Sequence, residues 1–321
     1  MSPTTTEQCL LDLLAIPSVS GHEQRLIQFL EKRLQQTFTF TPIPVDTTRN
    51  ALLCTTPGTL ETLLVAHIDT VSGELPVFMD ERAIHGRGSC DNKGAAAAMI
   101  SAAFTAVERK KTNFGLLFTI GEETSFDGAK AAQAFFETHH IRPTNVIIGE
   151  PTHLEIITAQ FGIFCFEIQC KGTAEHSSTL HPDSAIHKLV KILNTLLATP
   201  FIETTFHIGK IEGGEAENIV ASTAKATLLF RSADANLEQK IQQCLASTDI
   251  PHNLNVLKRI AHIDNSTAKH PKRTVPFFTE MAFFKNSIVC GPGDIRLAHT
   301  PHENVPRDEL NKATEIYTQF L

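Results

Sequence analysis

Tryptophan is absent and tyrosine occurs once, at Tyr317, so the chain has little of the aromatic surface on which single-stranded nucleic acid stacks. Basic runs are equally scarce: none exceeds Arg109-Lys110-Lys111, and Lys+Arg 28 against Asp+Glu 35 leave a net charge of −7 over 321 residues. A nucleic-acid partner is therefore not expected. Long hydrophobic runs are missing too. Gly94 to Val107, the least polar stretch, is mostly alanine and falls short of the ~20 apolar residues a membrane span needs, so no membrane partner is expected. Met1 to Gln8 has neither a basic segment nor an apolar one, and no secretory leader is expected from it. Seven cysteines, Cys9, Cys54, Cys90, Cys165, Cys170, Cys244 and Cys290, include no CxxC pair, and their odd number fits a reducing compartment better than a disulfide framework. A cytoplasmic location is expected.

What the chain does have is 42% hydrophobic residues, enough for a core in each of two domains at this length. Thr6 to Leu14 and His22 to Leu34 read as helices about a proline-marked turn, with Leu26, Leu30 and Leu34 on one face. Asn50 to Cys54, Thr62 to Ala66, Phe114 to Ile120 and Asn145 to Ile148 read as strands, and the small-residue segment Gly94 to Glu108 and Asp127 to Phe136 read as helices. That alternation predicts an α/β fold, a mixed sheet flanked by helices. From Phe161 the texture changes to alternating strands. Phe164 to Cys170, a helix from Asp183 to Leu197, strands at Thr204 to Ile211 and Ala216 to Arg231, a helix at Leu237 to Leu245 and a strand at Leu254 to Leu257 follow in β-α-β-β-α-β order. This predicts a catalytic domain of residues 1–158 and 262–321, with residues 159–261 inserted as a ferredoxin-like α+β domain. Ser287 to Cys290 and a helix from Pro306 return to the first texture.

Histidines and carboxylates follow the apolar strands in a recurring way. His67 and Asp69 end one strand, Asp91 precedes the alanine helix, Glu122-Glu123 and Glu150 follow two further strands, and His299 lies beyond Ile288 to Cys290. Open α/β sheets build their sites at the carboxyl ends of strands, so these loops can meet on one rim. Imidazole with several carboxylates and no thiol suits zinc, manganese or cobalt in a hydrolytic site, and a bridging carboxylate would allow two ions. Residues 67 and 69 face one way on an extended backbone, which lets Asp69 orient His67, whereas Glu122 and Glu123 point apart, one toward metal and one free to act as a base. Taken singly, each element is more often structural: a helix cap, a solvated acidic pair, a surface histidine. The set of five carries the reading.

Leu64-Val65-Ala66-His67-Ile68-Asp69-Thr70-Val71, Gly86 to Gly94, Ile120-Gly121-Glu122-Glu123, Ile148 to Thr152 and Gly291-Pro292-Gly293-Asp294-Ile295 with Ala298-His299-Thr300-Pro301 resemble, in order, the co-catalytic zinc amidohydrolases and peptidases. That family groups acetylornithine deacetylase, succinyl-diaminopimelate desuccinylase, aminoacylase and zinc carboxypeptidases, and the last segment is most similar to acetylornithine and acetylcitrulline deacetylases. The resemblance implies two divalent ions, zinc with cobalt or manganese as substitutes. Asp91 would bridge them, His67 and Glu150 would complete one site, and Glu123 and His299 the other. It also implies Glu122 as general base and Asp69 as the residue orienting His67. In the inserted domain, Gly172 to Ser178 resembles a lid segment whose His176 steadies the scissile carbonyl. Gly213 to Ile219, with Asn218, and Phe230-Arg231 resemble segments that hold a substrate carboxylate.

The expected activity is removal of the acetyl group from an N-acetyl amino acid, N-acetylornithine (a step of arginine biosynthesis) or N-acetylcitrulline. A desuccinylase or a dipeptidase or carboxypeptidase could use the same metals, and a metal-binding protein without catalysis is the reading of a different class. Retention of Glu122 beside five ligand candidates speaks against that loss. A homodimer through the inserted domain is expected, on the ground that an alternating strand such as Phe164 to Cys170 has a free edge.

Overall fold

The two segments with almost unbroken apolar sequence, Thr62–His67 and Phe114–Thr119, are buried at every position and lie side by side in parallel. They form the middle of a six-stranded sheet in the order Thr39–Pro44, Asn50–Thr55, Phe114–Thr119, Thr62–His67, Asn145–Ile148, Ser287–Val289. The last four strands are parallel and the first two antiparallel, which makes the sheet mixed. The computed structural model describes residues 4–321.

Thr39–Pro44 has no counterpart in the sequence reading. Its prolines, Pro42 and Pro44, lack the N–H that a ladder needs and are tolerated because this strand is an edge with a single neighbour. Leu26, Leu30 and Leu34 are fully buried along the helix Gln24–Leu34, as their spacing predicts. Each such side chain contributes about 1.5–3 kcal/mol by leaving water. The alanine-rich helix Lys93–Glu108 is buried along most of its length and packs against the helices Thr5–Leu14 and Arg307–Phe320. Small side chains permit that close approach. Gly149 extends it, since a Cβ there would lie 2.5 Å from the Ala95 methyl. The backbone that carries Glu150 can therefore lie directly on the start of this helix.

Residues Ala159–Asp264 with Thr274–Phe278 form one compact unit, and the other described residues a second. The inserted unit has an antiparallel sheet in the order Thr204–Gly213, Thr223–Ser232, Gly162–Lys171, Asn253–Ile260. With the helices Ala185–Ala198 and Leu237–Ala246 this is the ferredoxin-like arrangement. Phe164, Phe166, Ile168 and Cys170 alternate inward onto Leu189, Ile192, Leu193, Leu196, Leu237, Ile241 and Leu245. The expected strand from Ala216 begins only at Thr223; Ala216 to Ser222 lies outside it.

One expectation is overturned. Phe164 to Cys170 has no free edge, because Gly162–Lys171 is hydrogen-bonded on both sides; the edges are Thr204–Gly213 and Asn253–Ile260. Alternation reports one buried face and says nothing of lateral neighbours. On the edge strand Thr204–Gly213 the unit exposes Ile211 (61%), and its first helix exposes Val190 (57%) and Leu197 (62%). All seven cysteines are free thiols. Among the described residues no helix is long and apolar enough to cross a membrane.

Candidate metal and catalytic site

The parallel register decides which side chains meet. His67 is the last residue of its strand, opposite Thr119, while Val65 lies opposite Ile148 and Ile148 opposite Val289. The loops carrying Glu122-Glu123, Glu150 and His299 thus leave the sheet at the same rim as His67, and Asp91 arrives there just ahead of the helix Lys93–Glu108.

Asp91 stands between the two histidines. Its Oδ1 is 2.9 Å from His67 Nε2 and its Oδ2 3.2 Å from His299 Nε2. His67 Nε2 is also 4.0 Å from Glu150 Oε1, and His299 Nε2 is 2.8 Å from Glu123 Oε2. Two groups result, His67/Asp91/Glu150 and Asp91/Glu123/His299, each with its donor atoms within 4.8 Å of one another and with Asp91 common to both. His67, Asp91 and Glu150 are buried, whereas the His299 side chain is 50% exposed. Glu122 belongs to neither group.

Asp69 organises the rim from behind. His67 Nδ1 lies 3.1 Å from the Asp69 carbonyl oxygen and 3.6 Å from Oδ1. The Asp69 carboxylate accepts hydrogen bonds from the Ser20 hydroxyl at 2.7 Å and from the backbone N–H groups of Glu122 and Glu123 at 3.1 and 3.2 Å. It therefore fixes the pair of glutamates as well as facing the imidazole. Ser20 was not singled out in the sequence; nothing in its local pattern marks it, since its partner lies 49 residues on.

The electrostatics are those of buried acids short of positive charge. Burial holds Glu150 well above the usual carboxylate range and the charge of Asp91 adds to it. Burial raises Glu122 likewise, against the pull of His67 and with Asp91 adding. Burial also pushes Asp91 upward, but hydrogen bonds from His299 and His67 outweigh it and its carboxyl is held below the usual range. Hydrogen bonds to Asp91 and Glu123 raise His299 to about 10. Glu280, fully buried nearby, is pushed by burial to about 7. Glu150 Oε1 is a buried oxygen with no hydrogen-bond partner. A divalent cation fits this set, because it supplies the missing charge to imidazole nitrogen and carboxylate oxygen donors and a partner for that orphaned oxygen.

The residues of the inserted unit are divided between its two ends. His176 is exposed, its Nδ1 2.8 Å from Ser178 Oγ; it forms a bridge with Ile219, and Ser177 N–H donates to Asn218 O. Both segments lie past the Lys171–Thr223 pair at one end of the sheet. Arg231 sits at the other end, opposite Ile163, half-buried, its pKa lowered by that burial. Eight residues of extended strand, roughly 26 Å, separate Arg231 from Thr223.

Two buried charged groups near the rim escaped the sequence reading. Lys93 Nζ donates to the carbonyls of Leu13 and Ile16, and burial lowers its pKa to about 8. Glu303 accepts from the backbone of the Asp91 loop. Apart from the Arg87 guanidinium on Glu303, their partners are main-chain atoms, which have no signature in a sequence.

Paired ligand groups on the carboxyl rim of a largely parallel sheet are the architecture of metal-dependent hydrolases. The model of peptidase family M20/M25/M40 matches residues 63–321, and the chain belongs to that family, whose members hydrolyse amide bonds with the help of metal. A protein of Aeropyrum pernix named as a LysW-lysine/LysW-ornithine hydrolase is 30% identical over 97% of this chain and 93% of its own. One of Emericella nidulans, named as a carboxypeptidase, is 30% identical over 97% of this chain and 87% of its own. Among solved structures, a tripeptidase of Staphylococcus aureus superposes with a TM-score of 0.81 at 19% identity, covering 98% of this chain and 96% of that one. A dinuclear metal-binding M20 peptidase of Bacillus subtilis gives 0.71 at 13% identity, covering 98% and 96%.

Proposed function

We propose that the protein is a deacylase that removes the acetyl group from an N-acetyl amino acid of the N-acetylornithine or N-acetylcitrulline kind. The observation that carries the catalytic part is the pair of ligand groups sharing Asp91, with Glu122 left outside both. His67, Asp91 and Glu150 would hold one divalent ion and Asp91, Glu123 and His299 the other, zinc being the first choice and cobalt or manganese substitutes. When bound, the ions supply Lewis acidity toward the scissile carbonyl and toward water. Glu122 takes the proton of the attacking water and delivers it to the leaving amine nitrogen, while Asp69 keeps His67 and the Glu122-Glu123 backbone in place. The dinuclear relative from Bacillus subtilis supports the two-ion reading. The ornithine in the name of the Aeropyrum protein supports the amino-acid half of the substrate. Free thiols throughout support a cytoplasmic setting.

Selection of the substrate falls to Arg231, whose planar guanidinium can grip an α-carboxylate through two hydrogen bonds. The relatives named as carboxypeptidases favour cleavage of a peptide bond as the second reading. Initial rates on N-acetylornithine, N-acetylcitrulline, N-succinyl-diaminopimelate and simple dipeptides separate the two. An acetyl substrate should lead in kcat/KM, and Arg231→Lys should lower that value by tenfold or more, about 1.4 kcal/mol, even though charge is kept. A tenfold preference for the succinyl compound or a dipeptide overturns the acetyl assignment and leaves the site chemistry intact.

We also propose a homodimer through the inserted unit. Exposed Ile211 on an edge strand and Val190 and Leu197 on the first helix of the unit give it apolar side chains that a partner would cover. The placement of His176 and Arg231 past opposite ends of the inserted sheet supports a second copy as the source of His176 and Asn218. Mixed dimers of His176→Ala and Glu122→Gln subunits should regain activity that neither parent shows. Verified mixed dimers without any gain place His176 in its own chain's site or outside the reaction.

A further inference from the structure

Glu303 lies four residues beyond His299 and its side chain is 1% exposed. Its Oε1 accepts backbone N–H groups from Gly88 at 2.9 Å and from Cys90 and Asp91 at 3.3 Å, and its Oε2 takes the Arg87 guanidinium at 2.6 Å. Its own carbonyl accepts from Gly86 N–H, and the following residues Asn304–Pro306 pair with Ala83–His85. One carboxylate thus gathers four donors from Arg87 to Asp91, the segment that ends in the residue shared by both ligand groups.

We propose that Glu303 is a positioning residue that locks the His299 loop to the Asp91 loop and so sets the width of the Asp91/Glu123/His299 group. This rests on the two-ion reading above. His67 ends a strand and Glu150 follows another by two residues, so the sheet ladder fixes the backbone that carries each of them. His299 has no such support: it sits with φ +64° in an irregular segment between Ser287–Val289 and Asn304–Pro306, half-exposed. Its distance from Asp91 Oδ2 depends on what ties the two loops together. Glu303 is bonded to the amide of one ligand and is four residues from the other. An acceptor-only side chain suits three amides and a guanidinium; glutamine keeps one carbonyl oxygen for the amides but turns an NH2 toward Arg87.

Full-length wild type, Glu303→Ala and Glu303→Gln are to be compared by chelator-competition titration with Zn2+, and by amide hydrogen exchange of the metal-free proteins. Glu303→Ala should bind one equivalent about as tightly as wild type and the other ~10–100-fold more weakly, the loss usual for residues that orient ligands. Glu303→Gln should show the same selective loss at smaller size. In metal-free Glu303→Ala the amides of Gly88, Cys90 and Asp91 should exchange about tenfold faster or more. Two equivalents bound as in wild type, or equal weakening of both, overturns the assignment, and so do unchanged exchange rates. If Glu303→Ala does not fold, Glu303→Gln decides by the same criteria. A wild type that takes up only one equivalent refutes the two-ion reading, while the exchange rates still report whether Glu303 holds the Asp91 loop.

Discussion

Asp91→Ala is expected to abolish tight metal binding in both ligand groups at once, and hydrolysis with it. No other residue belongs to both groups, and its two oxygens face different histidines, His67 at 2.9 Å and His299 at 3.2 Å. Removing it leaves the remaining carboxylates, Glu150 and Glu123, without the bridging charge that makes two closely spaced cations tolerable. Substitution of a ligand confined to one group should behave differently. Glu150→Ala should weaken the His67 group and His299→Ala the other, each sparing one equivalent. Metal analysis of dialysed protein checks all three variants together. An Asp91→Ala protein that retains both equivalents at wild-type affinity refutes a bridge at this position.

Glu122→Gln is expected to keep both metals and lose turnover. Glutamine matches the side chain in size and leaves the backbone N–H of residue 122 on Asp69, so the rim should be undisturbed. It cannot accept the proton of an attacking water. General acid–base catalysis of this kind contributes ~10²–10⁴-fold, about 2.7–5.4 kcal/mol at the transition state, and kcat should fall by that factor with KM little changed. Glu123→Gln makes the contrast: it belongs to a ligand group and should weaken metal uptake as well as rate. If Glu122→Gln retains most of its kcat, the proton must travel through another group.

Much of the architecture was legible because burial leaves a periodic trace. Thr62–His67 and Phe114–Thr119 are almost wholly apolar because both of their faces are covered, and the alternation from Phe164 onward marks a sheet with one covered face. The ligand candidates stood out for a related reason. Acids and histidines that directly follow buried strands in several separate places mark a shared task rather than a packing role. Thr39–Pro44 was hidden by its prolines, which only an edge position tolerates.

The sequence by itself determined the side chains available for chemistry, their order along the chain and their placement after strands, since composition and periodicity are properties of local segments. The family resemblance of its motifs already implied Asp91 as the shared residue and Glu123 as the partner of His299; only the tertiary structure gives the distances at which these groups stand and shows that Asp69 holds both glutamate amides. It also decided that Gly162–Lys171 is an inner strand, that Arg231 and His176 occupy opposite ends of one sheet, and that Glu303 closes on the Asp91 loop. Each of these depends on the register of strands distant in sequence or on main-chain donors. Register comes from the packing of the whole sheet, and main-chain donors are the same at nearly every residue, so neither can be read from one segment alone.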